Sequence, residues 1–118
     1  MRQIYFRAKH DDKWVYGDLE VQRCDGRTLI HCYDESGKYH RQYDVSSDTV
    51  GQFTGKLDKN GTPIYEGDIV KTALYDTQVI YEDCGFRLKV MNNKLIRSLF
   101  LRGELEVIGN IYDNKQLV

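Results

Sequence analysis

Apolar and polar residues alternate in short runs along the first half of the chain. "QIYFRAK" (3–9) sets Ile4, Phe6 and Ala8 on one side and Tyr5, Arg7 and Lys9 on the other. A period of two is the signature of a strand with one buried face. "WVYGDLEV" (14–21), "TLIHCY" (28–33) and "YHRQYDV" (39–45) continue the series, separated by "KHDDK", "CDGR" and "DESGK". Each separator is rich in turn-forming residues, and Asp25-Gly26 suits a tight hairpin. "SSD" (46–48) interrupts the pattern and puts a boundary near residues 46–50. The expected organisation is therefore an N-terminal β lobe over 1–50 and a second unit over 51–118.

In the second half, "DIVKTAL" (68–74) and "TQVIY" (77–81) predict neighbouring strands joined at Tyr75-Asp76. "FRLKV" (86–90) alternates Phe86, Leu88 and Val90 with Arg87 and Lys89, a half-buried antiparallel strand with a basic outer face. "NNKLIRSLFLRGE" changes period. Leu95, Ile96, Leu99 and Phe100 form one helical stripe, with Asn93 as N-cap, Arg102 in the last turn and Gly103 at the left-handed end. A strand with Leu95, Leu99 and Leu101 on one face is the other reading, but Arg97 interrupts it. The helical reading predicts one short helix, too short to persist undocked. "LEVIGNIY" (105–112) returns to strand, with Gly109 suggesting a bulge. The fold class is mostly β, with small antiparallel sheets or a barrel and one short helix before the last strand.

"GQFTGKLDKNGTPIYEGDIVK" (51–71) looks like a loop built to hold something. A calcium loop needs oxygen ligands at positions 1, 3 and 5, glycine at 6 and glutamate at 12. Starting at Asp58 puts Pro63 at position six. Starting at Lys56 makes the first ligand a cation and puts Gly67 at twelve. The stretch reads better as a structure that holds its own backbone. Asn60-Gly61 supplies left-handed turn residues, and Asp58 can accept backbone hydrogen bonds two residues on. Pro63 suits a strand entry, and Gly67 lets the chain bend into Asp68 and the next strand.

The chain has 118 residues, 41% of them hydrophobic and 30% charged, enough for one domain or two very small lobes. Nine tyrosines against two methionines and one proline favour strands. No apolar run approaches the length that crosses a bilayer, and none follows "MRQIYFRAKHDDK". Cys24, Cys32 and Cys84 are odd in number and make no spaced framework, which predicts a reducing cytoplasm.

A net charge of −1 excludes coating nucleic acid by bulk electrostatics. The distribution is uneven, however. Residues 58–83 hold six acids against Lys59 and Lys71, while 84–103 hold Arg87, Lys89, Lys94, Arg97 and Arg102 with no acid.

Four ordered blocks carry a family resemblance: "MRQIYFRAK...WVYGDL", "TGKLDKNGTPIYEGDIV", "VIYEDCGFRL" and "LEVIGNIYDN". Together they resemble the YopX-like family of phage and prophage proteins over nearly the whole chain. One departure is Lys56-Leu57, which reverses the Leu-Lys order usual before "DKNG". The resemblance implies a mostly β fold with a C-terminal SH3-like barrel from about residue 51. It also implies a phage or prophage origin in a bacterial cytoplasm. It implies no biochemical activity.

Candidate chemistry is sparse. Glu66 and Asp68, two apart, are the one carboxylate pair that could serve a hydrolase, but nothing in the sequence marks a cleft to perturb them. His10, His31, His40 and the cysteines lack C-x-x-C and H-x-x-x-H spacing. His31 and Cys32, adjacent on a strand, face opposite sides. Ser46, Ser47 and Ser98 lie in no nucleophile elbow. No catalytic residue, metal or cofactor is expected. The basic run Arg87, Lys89, Lys94, Arg97 and Arg102 is the candidate binding surface, with Tyr75, Tyr81 or Tyr112 as stacking partners for nucleic acid. Against it, unlike charges on two surfaces of one subunit suit head-to-tail association. The expected function is a non-catalytic module that binds a host or phage protein or forms a homo-oligomer. Single-stranded nucleic-acid binding is the alternative.

Overall fold

A computed structural model describes residues 3–91, 98–100 and 103–114. β1 (Phe6–His10) and β2 (Lys13–Val21) form a hairpin in which Ala8 faces Val15 and Lys9 faces Trp14. Asp11 takes φ 54° at the turn, a left-handed conformation that aspartate tolerates better than most side chains. β2 is long because it serves two partners. Residues 13–17 pair with β1, and Asp18–Val21 pair with β3 (Thr28–Tyr33). Gly17 stands where the partner changes. A Cβ there would sit 2.1 Å from the main-chain oxygen of His31, so only glycine lets the strands approach this closely.

β4 (His40–Asp44) completes the second hairpin, and a 3₁₀ turn (Ser47–Thr49) brings the chain back beside β1. The Ser46 amide donates to the Lys9 carbonyl, and the Lys9 amide donates to Thr49 Oγ1. β5 (Gly51–Leu57) then pairs with β1 through Gly51 and Gln52. Ala8, Leu29 and Ile30 are fully buried in this first unit, which spans Met1–Phe53.

The second unit spans Thr54–Val118. In it β5 runs on to Leu57 beside β6 (Pro63–Tyr65), and a five-stranded sheet has the order β10-β9-β8-β7-β11. Its members are β7 (Asp68–Lys71), β8 (Asp76–Glu82), β9 (Gly85–Val90), β10 (Ser98–Phe100) and β11 (Glu106–Asn110). All the pairings described are antiparallel. Alternation decides the faces: Leu88 and Val90 are buried while Lys89 between them is exposed. Ile64, Val70, Val79, Leu88 and Leu105 form the aliphatic core, with Phe86 and Val107 packed against it. Each such side chain, fully buried, stabilises the fold by roughly 1.5–3 kcal/mol.

Three expectations change. The span 51–71 is not one loop, because β5 and β6 flank the turn within it. The strands of the described residues make two antiparallel sheets and no closed barrel. The helix expected over 93–103 is replaced, where the chain is described, by β10, whose Ser98, Leu99 and Phe100 oppose Lys89, Leu88 and Arg87. The physical reason is the free edge of β9. A nine-residue helix is marginal alone, whereas Ser98–Phe100 in extended form satisfy backbone donors and acceptors that β9 leaves open. The rest of that helix, residues 93–97 and 101–102, lies outside the described residues. The bulge expected in the last strand is present as a register shift between Val107 and Gly109.

Candidate functional site

Asp58 organises the turn between β5 and β6. Its Oδ1 accepts from the amides of Asn60 (2.9 Å) and Thr62 (2.8 Å), and its Oδ2 accepts from the amide of Val107 at 2.9 Å. Carboxylates that receive several backbone donors are stabilised in the charged form. The Val107 bond is the largest cause holding Asp58 below its ordinary value, with Thr62 and Asn60 adding to it. Gly61 takes φ 81° at the turn, and Pro63 opens β6. The carboxylate is thus filled by protein amides and buried at 7% exposure, leaving little for an ion or substrate.

The Glu66–Asp68 pair divides in the same way. Asp68 is 2% exposed and its Oδ2 accepts from the Tyr65 amide at 2.8 Å, while Glu66 is half-buried on the turn. Gly67 between them has φ 92°, and a Cβ there would press on the Tyr112 ring at 3.2 Å. Its amide donates to Val79 and its carbonyl accepts from Ile111. A small pocket of about 160 Å³ nearby is lined by Lys59, Lys71, Glu104 and Glu106 among others. Lys59 Nζ lies 3.0 Å from Glu106 Oε2, and that hydrogen-bonded ion pair raises the Lys59 pKa.

Of the basic run, Arg87 and Lys89 share one face of β9, opposite the face that carries Phe86, Leu88 and Val90. Arg87 Nε donates to the Glu82 carbonyl at 3.2 Å. Lys94, Arg97 and Arg102 lie outside the described residues. Two of the proposed stacking partners, Tyr81 and Tyr112, have other neighbours. Tyr81 pairs with Phe86 on the other face, ring to ring at 5.2 Å, and Tyr112 lies against Gly67.

A different constellation stands on the first unit. Glu20 on β2, His31 and Tyr33 on β3, and His40 on β4 fall on one face by register. His31 Nε2 donates to Glu20 Oε1 at 2.6 Å, and His31 Nδ1 lies 2.7 Å from His40 Nε2. The bond from His31 is the largest cause lowering the Glu20 pKa. With one His31 nitrogen committed as donor to the carboxylate, the neutral ring offers the other as acceptor to His40 Nε2–H. Tyr33 stacks on His40 with centroids 4.6 Å apart and planes 9° apart. On the opposite face of this hairpin, Arg41 Nε donates to Tyr39 Oη at 2.9 Å, with its guanidinium over the ring. Cys32 is on that face too, its thiol donating to the Tyr16 carbonyl, and burial raises its pKa.

Further along the sheet, Arg7 and Lys9 both lie over the Trp14 ring, at 4.5 and 4.7 Å from its centroid. None of Glu20, Tyr33 or Tyr39 stands out in the sequence. The signal that finds them is hairpin register: once two turns fix the pairing, Glu20 and Tyr33 fall on one face with His31 and His40, and Tyr39 on the other with Arg41.

A family model described as YopX protein matches residues 5–118. Among solved structures, the crystal structure of protein EF1440 from Enterococcus faecalis is similar, with 21% identity, 99% of each chain covered and a TM-score of 0.48. No curated protein matches the chain.

Proposed function

The chain belongs to the YopX protein family, and from that premise we propose that it is a non-catalytic β module that binds another protein through the β3–β4 hairpin. We take it to be an accessory protein of a phage or prophage, acting in a bacterial cytoplasm. The observation that carries the reading is the composition and order of that hairpin. Tyr33 and Tyr39 are 55% and 54% exposed, yet both rings are held, one by His40 and one by Arg41. Tyrosine and arginine supply much of the binding energy in protein interfaces. Rings already fixed in place lose less entropy on docking than free ones. Of the Glu66–Asp68 pair that could have served catalysis, Asp68 accepts from the Tyr65 main-chain amide, which supports the same reading.

The test is partner capture with the full chain and a Tyr33→Ala/Tyr39→Ala/Arg41→Ala variant, with light scattering to detect self-association. The expected result is one protein partner, or a second copy of this chain, held by the wild type and lost by a variant that still folds. A wild type that stays a partner-free monomer at every concentration, or a variant that binds as well, would end the proposal. The alternative single-strand binder retains as support the shared face of Arg87 and Lys89. Anisotropy with labelled oligonucleotides at low salt, repeated on Arg87→Gln/Lys89→Gln, decides it.

A further inference from the structure

We propose that His31 and His40 form a cross-strand site for a divalent transition-metal ion, with Zn²⁺ as the reference case, bound where the two rings now share a hydrogen. The inference is independent of the partner-binding reading above and can stand or fall without it.

The first ground is convergence. Two imidazole nitrogens from neighbouring strands point at one another across 2.7 Å. Imidazole suits zinc, copper and nickel. Two nitrogens on one Zn²⁺, each 2.0–2.1 Å from it, stand about 3.3 Å apart at a tetrahedral angle. The rings must therefore part by roughly 0.6 Å and tilt toward a common point. His40 can do so, because it is exposed at the start of an edge strand.

The second ground is Glu20. Histidines that bind metal commonly donate their other N–H to a carboxylate, which fixes the tautomer and raises ligand basicity. His31 has that arrangement already: Nε2–H is held by Glu20 Oε1 at 2.6 Å, and the side chain of His31 is only 17% exposed. Its Nδ1 lone pair is thus aimed at the site before any ion arrives. Tyr33, stacked on His40, orients the second ligand ring.

The proton balance is simple. In the neutral pair, His40 Nε2–H is the hydrogen between the rings. On binding, that proton moves to His40 Nδ1 and Nε2 becomes a ligand, so no net proton is released. When the pair carries one extra proton, that proton goes to solvent. Protons and the ion therefore compete for the same ring nitrogens.

Among the described residues, no three His, Cys, Asp or Glu side chains come within reach of one ion. Cys32 is on the opposite face, and the Glu20 carboxylate is on the far nitrogen of His31. Two protein nitrogens with waters completing the shell make an open, exchangeable centre, weaker than a closed structural zinc site.

Titrating the full chain with Zn²⁺ by calorimetry tests the proposal, and histidine-ring ¹⁵N shifts identify the ligand atoms. One saturable ion per chain is expected, with shifts at His31 Nδ1 and His40 Nε2. His40→Gln and His31→Gln should each abolish it, Glu20→Gln should weaken it about tenfold, and His10→Gln should leave it unchanged. Absence of saturable binding up to millimolar Zn²⁺ overturns the proposal. So does binding that survives His40→Gln, or ring shifts confined to His10. The wild-type ring shifts keep the test decisive even where a variant fails to fold.

Discussion

In the second unit the polar side chains of greatest interest are turned inward and used by the fold. Asp58 receives three main-chain amides and Asp68 receives the Tyr65 amide, beside a core of five buried aliphatic residues. In the first unit the corresponding groups stay at the surface and meet side chains instead. Glu20 meets His31, His31 meets His40, and Tyr33 and Tyr39 remain more than half exposed. Backbone partners are fixed by the fold and cannot be given to a ligand without unfolding something. Side-chain partners at the surface can be exchanged for a ligand's groups. The contrast locates scaffold in one unit and accessible chemistry in the other.

The sharpest way to break that comparison is to open the second unit's core. Leu88→Ala removes a side chain at 1% exposure, and the expected loss is roughly 2–5 kcal/mol, read by denaturant unfolding. A loss below about 1 kcal/mol would mean that the core does not hold the unit. Next in size is Gly17→Ala. Its new methyl would overlap the His31 main chain, so a cost of about 1–3 kcal/mol is expected, with amide shifts concentrated in β2 and β3.

Asp58→Asn tests the role of the carboxylate through pH. The folded pKa of Asp58 lies below the ordinary 3.8. Its stabilisation is therefore complete above that ordinary value and is lost as pH falls through the lower folded value. The variant should melt several degrees lower at pH 7, and its melting point should change less than that of the wild type between about pH 5 and 2. Parallel acid profiles for the two proteins would remove the carboxylate from the account. The smallest stability effect belongs to the hairpin: Tyr33→Ala and Tyr39→Ala should each stay within about 0.5 kcal/mol of wild type. A larger loss would make these rings structural.

Much of this was legible from local pattern. The strands of the first unit follow from period-two alternation, and "FRLKV" announces the buried Leu88 and exposed Lys89 directly. Asp58's contacts with Asn60 and Thr62 are of a kind that sequence can suggest, because their donors lie two and four residues on. Its contact with Val107 is 49 residues away and has no local trace. β5 was hidden because "GQFTGKL" carries two glycines, and its pairing with β1 outweighs their poor strand propensity. β10 is hard to read because "LIRSLF" fits a helical stripe as well as an extended run; for Ser98–Phe100, the part described, the open edge of β9 selects the second. Spacing rules also overlooked the His31–His40 contact, nine residues apart on two strands, because sites assembled across a hairpin have no linear motif.

The most direct test of the division between scaffold and accessible surface is one binding assay on two folded variants. It compares partner capture by Tyr33→Ala/Tyr39→Ala/Arg41→Ala with capture by Arg87→Gln/Lys89→Gln, each against wild type. Loss of the partner in the hairpin variant alone, with the β9 variant unchanged, is the predicted result. Loss in the β9 variant alone would contradict the account and move the working surface to the second unit.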